Sequence, residues 1–196
     1  MSFAKVVVLV NGLVPLALII ADAIAGRLGA NPVEFLLRST GFLALIFLTL
    51  TLTVTPARKL LNRPGLGKHR RMLGLFTFFY ATIHVCLYLW LDHFFDVRAI
   101  ATDILTRPFQ LFGALAYGFM VPLALTSTQA AIRRMGKRWT ALHQRIYWVA
   151  AFAVVHFWMG VKADTTRPAA FAVLIGLLLL WRYVNRTPKP GLLKPQ

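Results

Sequence analysis

The stretch RMLGLFTFFYATIHVCLYLW, residues 71–90, is apolar almost throughout and carries one histidine, His84, in its later half. Its length matches the roughly 20 residues a helix needs to cross the hydrocarbon core of a bilayer. A second apolar run, residues 142–161, carries His143 near its start and His156 near its end. An ionisable side chain inside such a helix is costly unless something pairs with it or binds it, which makes it a functional candidate by default.

The rest of the chain agrees with a membrane setting. Of its 196 residues, 58% are hydrophobic and only 14% charged, against about 25% charged in a soluble domain. The spacing predicts six spans, at residues 6–25, 39–55, 72–91, 109–126, 143–161 and 168–184, in a single all-α transmembrane domain covering 1–196. Residues 185–196 form a short cytoplasmic tail. Pro15 and Pro122 fall within spans one and four, where neighbouring helices can compensate a kink. Gly74, Gly113, Gly118 and Gly176 suit ordinary small-residue packing between membrane helices, or the close approach of a flat ligand. The start MSFAK, the apolar run 6–20 and Ala-Asp-Ala at 21–23 resemble a secretory signal. With Lys5 as the one charge and apolar sequence continuing to Ile24, an uncleaved first helix is expected. No internal repeat stands out.

Charge sets the expected orientation. Sixteen of the 22 Lys and Arg fall at the N-terminus, in loops 56–71 and 127–145, or at the C-terminal end. All six acids, Asp22, Glu34, Asp92, Asp96, Asp103 and Asp164, fall on the other side. Excess Lys and Arg marks the cytoplasmic face, so both termini are expected inside. Basic loops facing anionic lipid account for the net charge of +16, and no nucleic-acid partner is needed. The one cysteine, Cys86, permits no internal disulfide and reads as a small buried hydrophobe. Without a CxxCH motif, any haem is held without thioether links.

Depth tests the histidines as ligands. At about 1.5 Å per residue, His84 lies roughly 20 Å beyond Arg71, and His156 roughly 17 Å beyond Arg145. The two spans run parallel, so both imidazoles sit at similar depth in the outer half. They suit the axial positions of haem iron. His143, roughly 20 Å below His156, admits a second, inner haem whose opposite ligand stays open. His69, within Lys-His-Arg-Arg, reads as a solvated surface residue. Arg70 and Arg71 are placed to meet haem propionates or a flavin phosphate. His93, beside Asp92, reads as an outer loop residue. The competing reading is a transporter with a histidine proton relay, but no intramembrane carboxylate and no paired broken helices accompany it.

The stretches HRRMLGLFTFFYATIHVCLYL and WTALHQRIYWVAAFAVVHFWMG resemble the MsrQ family, formerly YedZ, within the ferric-reductase-like transmembrane superfamily. The resemblance implies that His84, His143 and His156 match the family's haem histidines. Arg71 stands 13 residues before His84, where relatives with two haems have a second histidine. It further implies a b-type haem subunit of the bacterial inner membrane, carrying one haem or two, with FMN as an additional cofactor. Such a subunit relays electrons from the quinone pool or a cytosolic flavin reductase to a periplasmic molybdopterin partner, MsrP, which reduces methionine sulfoxide in oxidised proteins. A membrane cytochrome b that reduces quinone or metal ions is the alternative within the same class. The sequence holds only a fragment of a dinucleotide fingerprint, Gly65-Leu-Gly67, and no nucleophile–base constellation. An electron-transfer subunit is therefore expected rather than a catalyst acting alone.

Overall fold

A computed structural model of the chain describes residues 3–185. Residues 186–196 of the expected tail, with Arg186, Lys189 and Lys194, lie outside the described residues. Within the described residues the chain is helical and contains no strand. The α-helices are α1 (Phe3–Ile24), α2 (Pro32–Leu60), α3 (Arg70–Leu87), α4 (Val97–Thr106), α5 (Pro108–Leu125), α6 (Gln129–Met135), α7 (Lys137–His143), α8 (Ile146–Gly160) and α9 (Thr166–Val184). A 3₁₀ segment, Pro64–His69, leads into α3, and a π turn, Tyr88–Asp92, closes it.

Helix α2 shows why these segments stop and start where they do. The Asn31 side chain caps it by accepting from the Glu34 amide at 3.2 Å and donating to the Glu34 carboxylate at 3.0 Å. Pro32 occupies the first turn, where its missing N–H costs nothing. Arg38, expected in a loop, pairs instead with Glu34 one turn earlier at 2.6 Å. The helix therefore begins seven residues before the expected span and runs for 29 residues, about 43 Å. Its threonines return their hydroxyls to carbonyls one turn back, Thr49 to Leu45 and Thr51 to Phe47 among them. That satisfies polar groups in a medium with no water to offer.

The chain makes two antiparallel hairpins, α2 with α3 and α5 with α8, and α9 packs against both. The core between them joins Leu45, Leu48 and Leu52 of α2 to Ala81, Met120, Leu123, Val149, Ala150 and Ile175. Helix α1 sits outside, resting Leu9 and Leu16 on Phe47, Phe76 and Tyr80. Tyr80 is fully buried and donates to the Gly12 carbonyl at 2.6 Å.

Among the described residues, five helical segments are long and apolar enough to cross a membrane, Phe3–Ile24, Pro32–Leu60, Pro64–Asp92, Pro108–Leu125 and Thr166–Val184. The expected fifth span at 143–161 appears as α8, which has 15 residues, about 22 Å against a core of about 30 Å. It is shorter because the chain turns at Gln144 and Arg145, separating α8 from α7. The hairpins leave one end of the bundle with all six carboxylates and the other with the connections rich in Lys and Arg. These are called below the carboxylate end and the basic end.

Candidate functional site

Near the carboxylate end, the rings of His84 on α3 and His156 on α8 meet with centroids 6.2 Å apart and planes crossed at 78°. Each ring is held from behind. His84 Nδ1 lies 2.9 Å from the Leu37 carbonyl on α2, and His156 Nδ1 lies 2.6 Å from the Phe109 carbonyl on α5. A carbonyl only accepts, so Nδ1 carries the proton in both rings, and the Nε2 lone pair of each is left to bind. This backing of a ligand imidazole by a carbonyl is the usual support for a metal-binding histidine.

Glycine makes room for both rings. A Cβ at Gly41 would lie 3.1 Å from His84 Nδ1, and one at Gly113 would lie 2.8 Å from His156 Nδ1. Of the glycines singled out in the sequence, Gly113 thus has a specific duty. Gly74 makes only ordinary contact, and nothing lies near a Cβ at Gly118 or Gly176.

The two holds are the same device used twice. Leu37, Gly41 and His84 each precede Phe109, Gly113 and His156 by 72 positions, and each histidine follows its carbonyl by 47 residues. In this register LRSTGFLALIF (37–47) lies on FQLFGALAYGF (109–119), and Ala81 and His84 lie on Ala153 and His156. The chain therefore contains an internal repeat, contrary to the reading from sequence. The matches are few and scattered along two helices apiece, and this scatter hides them.

Haem fits this pair. With metal–imidazole bonds of about 2 Å and each nitrogen about 1 Å from its ring centre, two axial imidazoles place their centroids about 6 Å apart. No cluster of three or more His, Cys, Asp or Glu suited to a bare metal ion occurs among the described residues.

The other sequence candidates gather elsewhere. His143 ends α7 at the basic end, stacked on Trp139 with centroids 3.9 Å apart. Its Nδ1 lies 3.2 Å from the Trp139 carbonyl and its Nε2 3.5 Å from Ser127 Oγ. Arg70 and Arg71 act electrostatically on His143, so all three share that end. Arg71 is exposed and Arg70 partly buried. His69, expected in solvent, is partly buried, and its Nδ1 is enclosed without a hydrogen-bond partner.

Two further expectations change. Cys86, expected to be buried, is exposed on the surface of α3. His93, expected in an open loop, has a side chain only 16% exposed, 3.4 Å from Asp103. Asp103 is itself buried, accepts from Tyr88 Oη at 2.9 Å and forms an ion pair with Arg107, whose Nε lies 2.8 Å away. His93 is near enough to Asp103 for an ion pair when protonated, but not aligned for a hydrogen bond.

A bundle built from apolar helices, with imidazoles from two of them facing across its interior, defines a class of membrane protein that sequence comparison also reaches. The profile of the family described as ferric reductase like transmembrane component matches residues 40–154. Curated relatives are each named protein-methionine-sulfoxide reductase heme-binding subunit MsrQ. That of Herminiimonas arsenicoxydans is 40% identical over 98% of this chain and 91% of its own length. That of Azospira oryzae is 50% identical over 81% of this chain and 69% of its own. That of Rhodospirillum rubrum is 45% identical over 92% and 87%. The chain belongs to the MsrQ family of ferric-reductase-like multi-pass membrane proteins. No solved structure matches it.

Proposed function

We propose that this chain is the haem-binding membrane subunit of a protein-methionine-sulfoxide reductase system, with a b-type haem held between His84 and His156. The observation that carries the reading is the facing pair of rings, 6.2 Å between centroids, each with its Nδ1 committed to a carbonyl. Bound there, the group supplies a one-electron couple, and no bond is made or broken at the protein. The chain's own part is positional. The Leu37 and Phe109 carbonyls fix tautomer and ring orientation and raise the basicity of Nε2. Gly41 and Gly113 let the rings seat, and the apolar helices exclude water and lower the dielectric.

Charge segregation supports six crossings in the bacterial inner membrane, with α7 and α8 together forming the fifth and both termini in the cytoplasm. Lys5, Arg58, Lys59 and the α6–α7 arginines then face the positive-inside side, and all six acids face the periplasm. Residues 1–196 form one domain. Electrons arrive at the basic end from the quinone pool or a cytosolic flavin reductase. They leave at the carboxylate end for a periplasmic molybdopterin subunit, MsrP, in a heterodimer. FMN is assigned to the basic end, near Arg70, Arg71 and His69, and His143 is the chain's candidate ligand for a second haem there. Resemblance and charge support these finer assignments.

The test is a reduced-minus-oxidised spectrum of the purified chain. We expect b-type bands that disappear in His84→Ala and in His156→Ala. A folded, colourless wild type, or full bands in either variant, contradicts the reading. Haem per polypeptide in wild type and His143→Ala decides whether a second haem is present.

A further inference from the structure

Helix α1 meets the rest of the bundle along one side. Leu9 and Leu16 pack against it and Gly12 is buried, whereas Ala4, Val7, Asn11, Val14, Leu18 and Ala21 are exposed. At about 100° per residue the two sets lie on opposite faces of the helix. Rotation of α1 about its axis is fixed, because Tyr80 donates to the Gly12 carbonyl at 2.6 Å and a Cβ at Gly12 would run into the Phe76 ring. Asn11 is therefore held away from the chain's own core. It lies six residues beyond Lys5, about 9 Å along the helix, and so within the apolar stretch rather than at its charged edge.

Position 11 carries polar atoms that α1 does not satisfy. Asn11 Nδ2 donates to the Val7 carbonyl one turn back at 2.8 Å, which uses one of its two N–H groups. Among the described residues the second N–H and Oδ1 have no partner. The main-chain carbonyl of Asn11 is short of a donor too, since Pro15, one turn on, has no N–H to give it. Hydrocarbon has no water to make up the difference. An amide offers a donor and an acceptor together, so the group that complements it is a second amide. Copies of a membrane chain insert in one orientation, and Asn11 of a second copy arrives at the same depth without further adjustment. Ala4, Asn11 and Leu18 recur every seven residues, as do Val7, Val14 and Ala21 three places on. These are the a and d positions of a parallel helix pair, where a single Asn at a sets register and pairing. Small residues within the stripe allow the close approach that membrane helices need.

We infer that the outer face of α1 is where two copies of this chain pair in the membrane, with Asn11 of one hydrogen-bonded to Asn11 of the other. The spare N–H of each amide donates to Oδ1 of its counterpart across a two-fold axis along the bilayer normal. The facing histidines stand on α3 and α8 and are held by α2 and α5. The pairing face therefore goes beyond the haem reading and stands or falls without it.

The full chain is reconstituted in phosphatidylcholine vesicles at falling protein-to-lipid ratio, with Cys86→Ser removing the exposed native thiol. Val7→Cys, Val14→Cys and Leu18→Cys each place one thiol on the stripe. Leu13→Cys and Ile20→Cys place one on other faces of α1 at comparable exposure. Under mild oxidation the first three are expected to give disulfide-linked dimers at dilutions where the last two stay monomeric. Sedimentation equilibrium of the full chain, with its native cysteine, in density-matched detergent micelles then gives the dissociation constant. Asn11→Leu is expected to weaken it by at least about tenfold, and Asn11→Gln, which keeps the amide, by less. Leucine on a lipid-facing position leaves the fold intact, and circular dichroism and the thermal midpoint of the monomer check that it does. A wild type that stays monomeric throughout, equal linking at all five sites, or an undiminished dimer in Asn11→Leu overturns the pairing face. The haem spectrum of the same samples is expected to be unchanged in Asn11→Leu. Its absence from a wild type that pairs counts against the haem reading and leaves the pairing result intact.

Discussion

The α2–α3 hairpin and the α5–α8 hairpin are alike at the carboxylate end and different at the basic end. At the carboxylate end each sets a histidine on a glycine and ties it to a carbonyl, Leu37 in one hairpin and Phe109 in the other. Thirteen residues before the histidine, the first hairpin has Arg71 and the second has His143. The likeness sets two imidazoles, one from each half, face to face. The divergence shows where no such pairing is enforced. A second pair of facing imidazoles is absent from the described basic end, and cations without carboxylates gather there instead.

The comparison is broken most severely by removing either facing ring. His84→Ala and His156→Ala are each expected to abolish the bound-haem spectrum, since one remaining imidazole cannot supply both axial positions. Next comes the glycine floor, which also tests whether the halves are equivalent. Gly113→Ala is expected to cost about 1–3 kcal/mol through overpacking and to lower haem occupancy. Gly41→Ala is expected to cost less, because its added carbon meets the ring at 3.1 Å rather than 2.8 Å. Haem content and thermal midpoints of the two variants check the order, and a larger loss in Gly41→Ala reverses it.

A third substitution probes what the first half has alone. Tyr88 binds Asp103, whereas the position 72 residues later is Gly160. Asp103→Ala removes the acceptor of a buried charge-assisted hydrogen bond, with an expected loss of about 1.5–3 kcal/mol. The histidine pair should keep its spectrum, and a thermal melt beside that spectrum separates the two effects. The smallest change is Tyr80→Phe, which deletes the 2.6 Å bond to Gly12 and is expected to cost about 1 kcal/mol. Hydrogen exchange in α1, rather than in α2 or α3, should rise.

Much of the bundle could be read in advance, because long apolar runs with charged connections have few other solutions in a bilayer. The juxtaposition of His84 and His156 was legible for a similar reason. Rise per residue fixes depth, and two ionisable rings at one depth invite pairing. Helix phase was not legible. In helices apolar on every side, hydropathy does not distinguish the face turned to lipid from the face turned to protein, so Cys86 was assigned to the wrong one. The carbonyls of Leu37 and Phe109 carry no sequence signal at all, and a glycine such as Gly41 is lost among the small residues that all membrane helices use. The break at Gln144 and Arg145 was missed because the apolar run resumes at once beyond it. Arg182 carries no more signal in the sequence than any positive charge at a helix end, since its contacts with Thr55 and Tyr147 come from helices distant in sequence.

The crossed planes of the two imidazoles, 78° apart, have an electronic consequence. If the proposed haem is bound between them, each ring would donate π density in its own direction, and perpendicular rings would raise two different iron d orbitals by similar amounts. The magnetic resonance of the oxidised form in frozen solution would then be strongly anisotropic. Because each ring is pinned through its Nδ1, such a signature would be set by the polypeptide, and freeing either ring from its carbonyl would make the signal more rhombic.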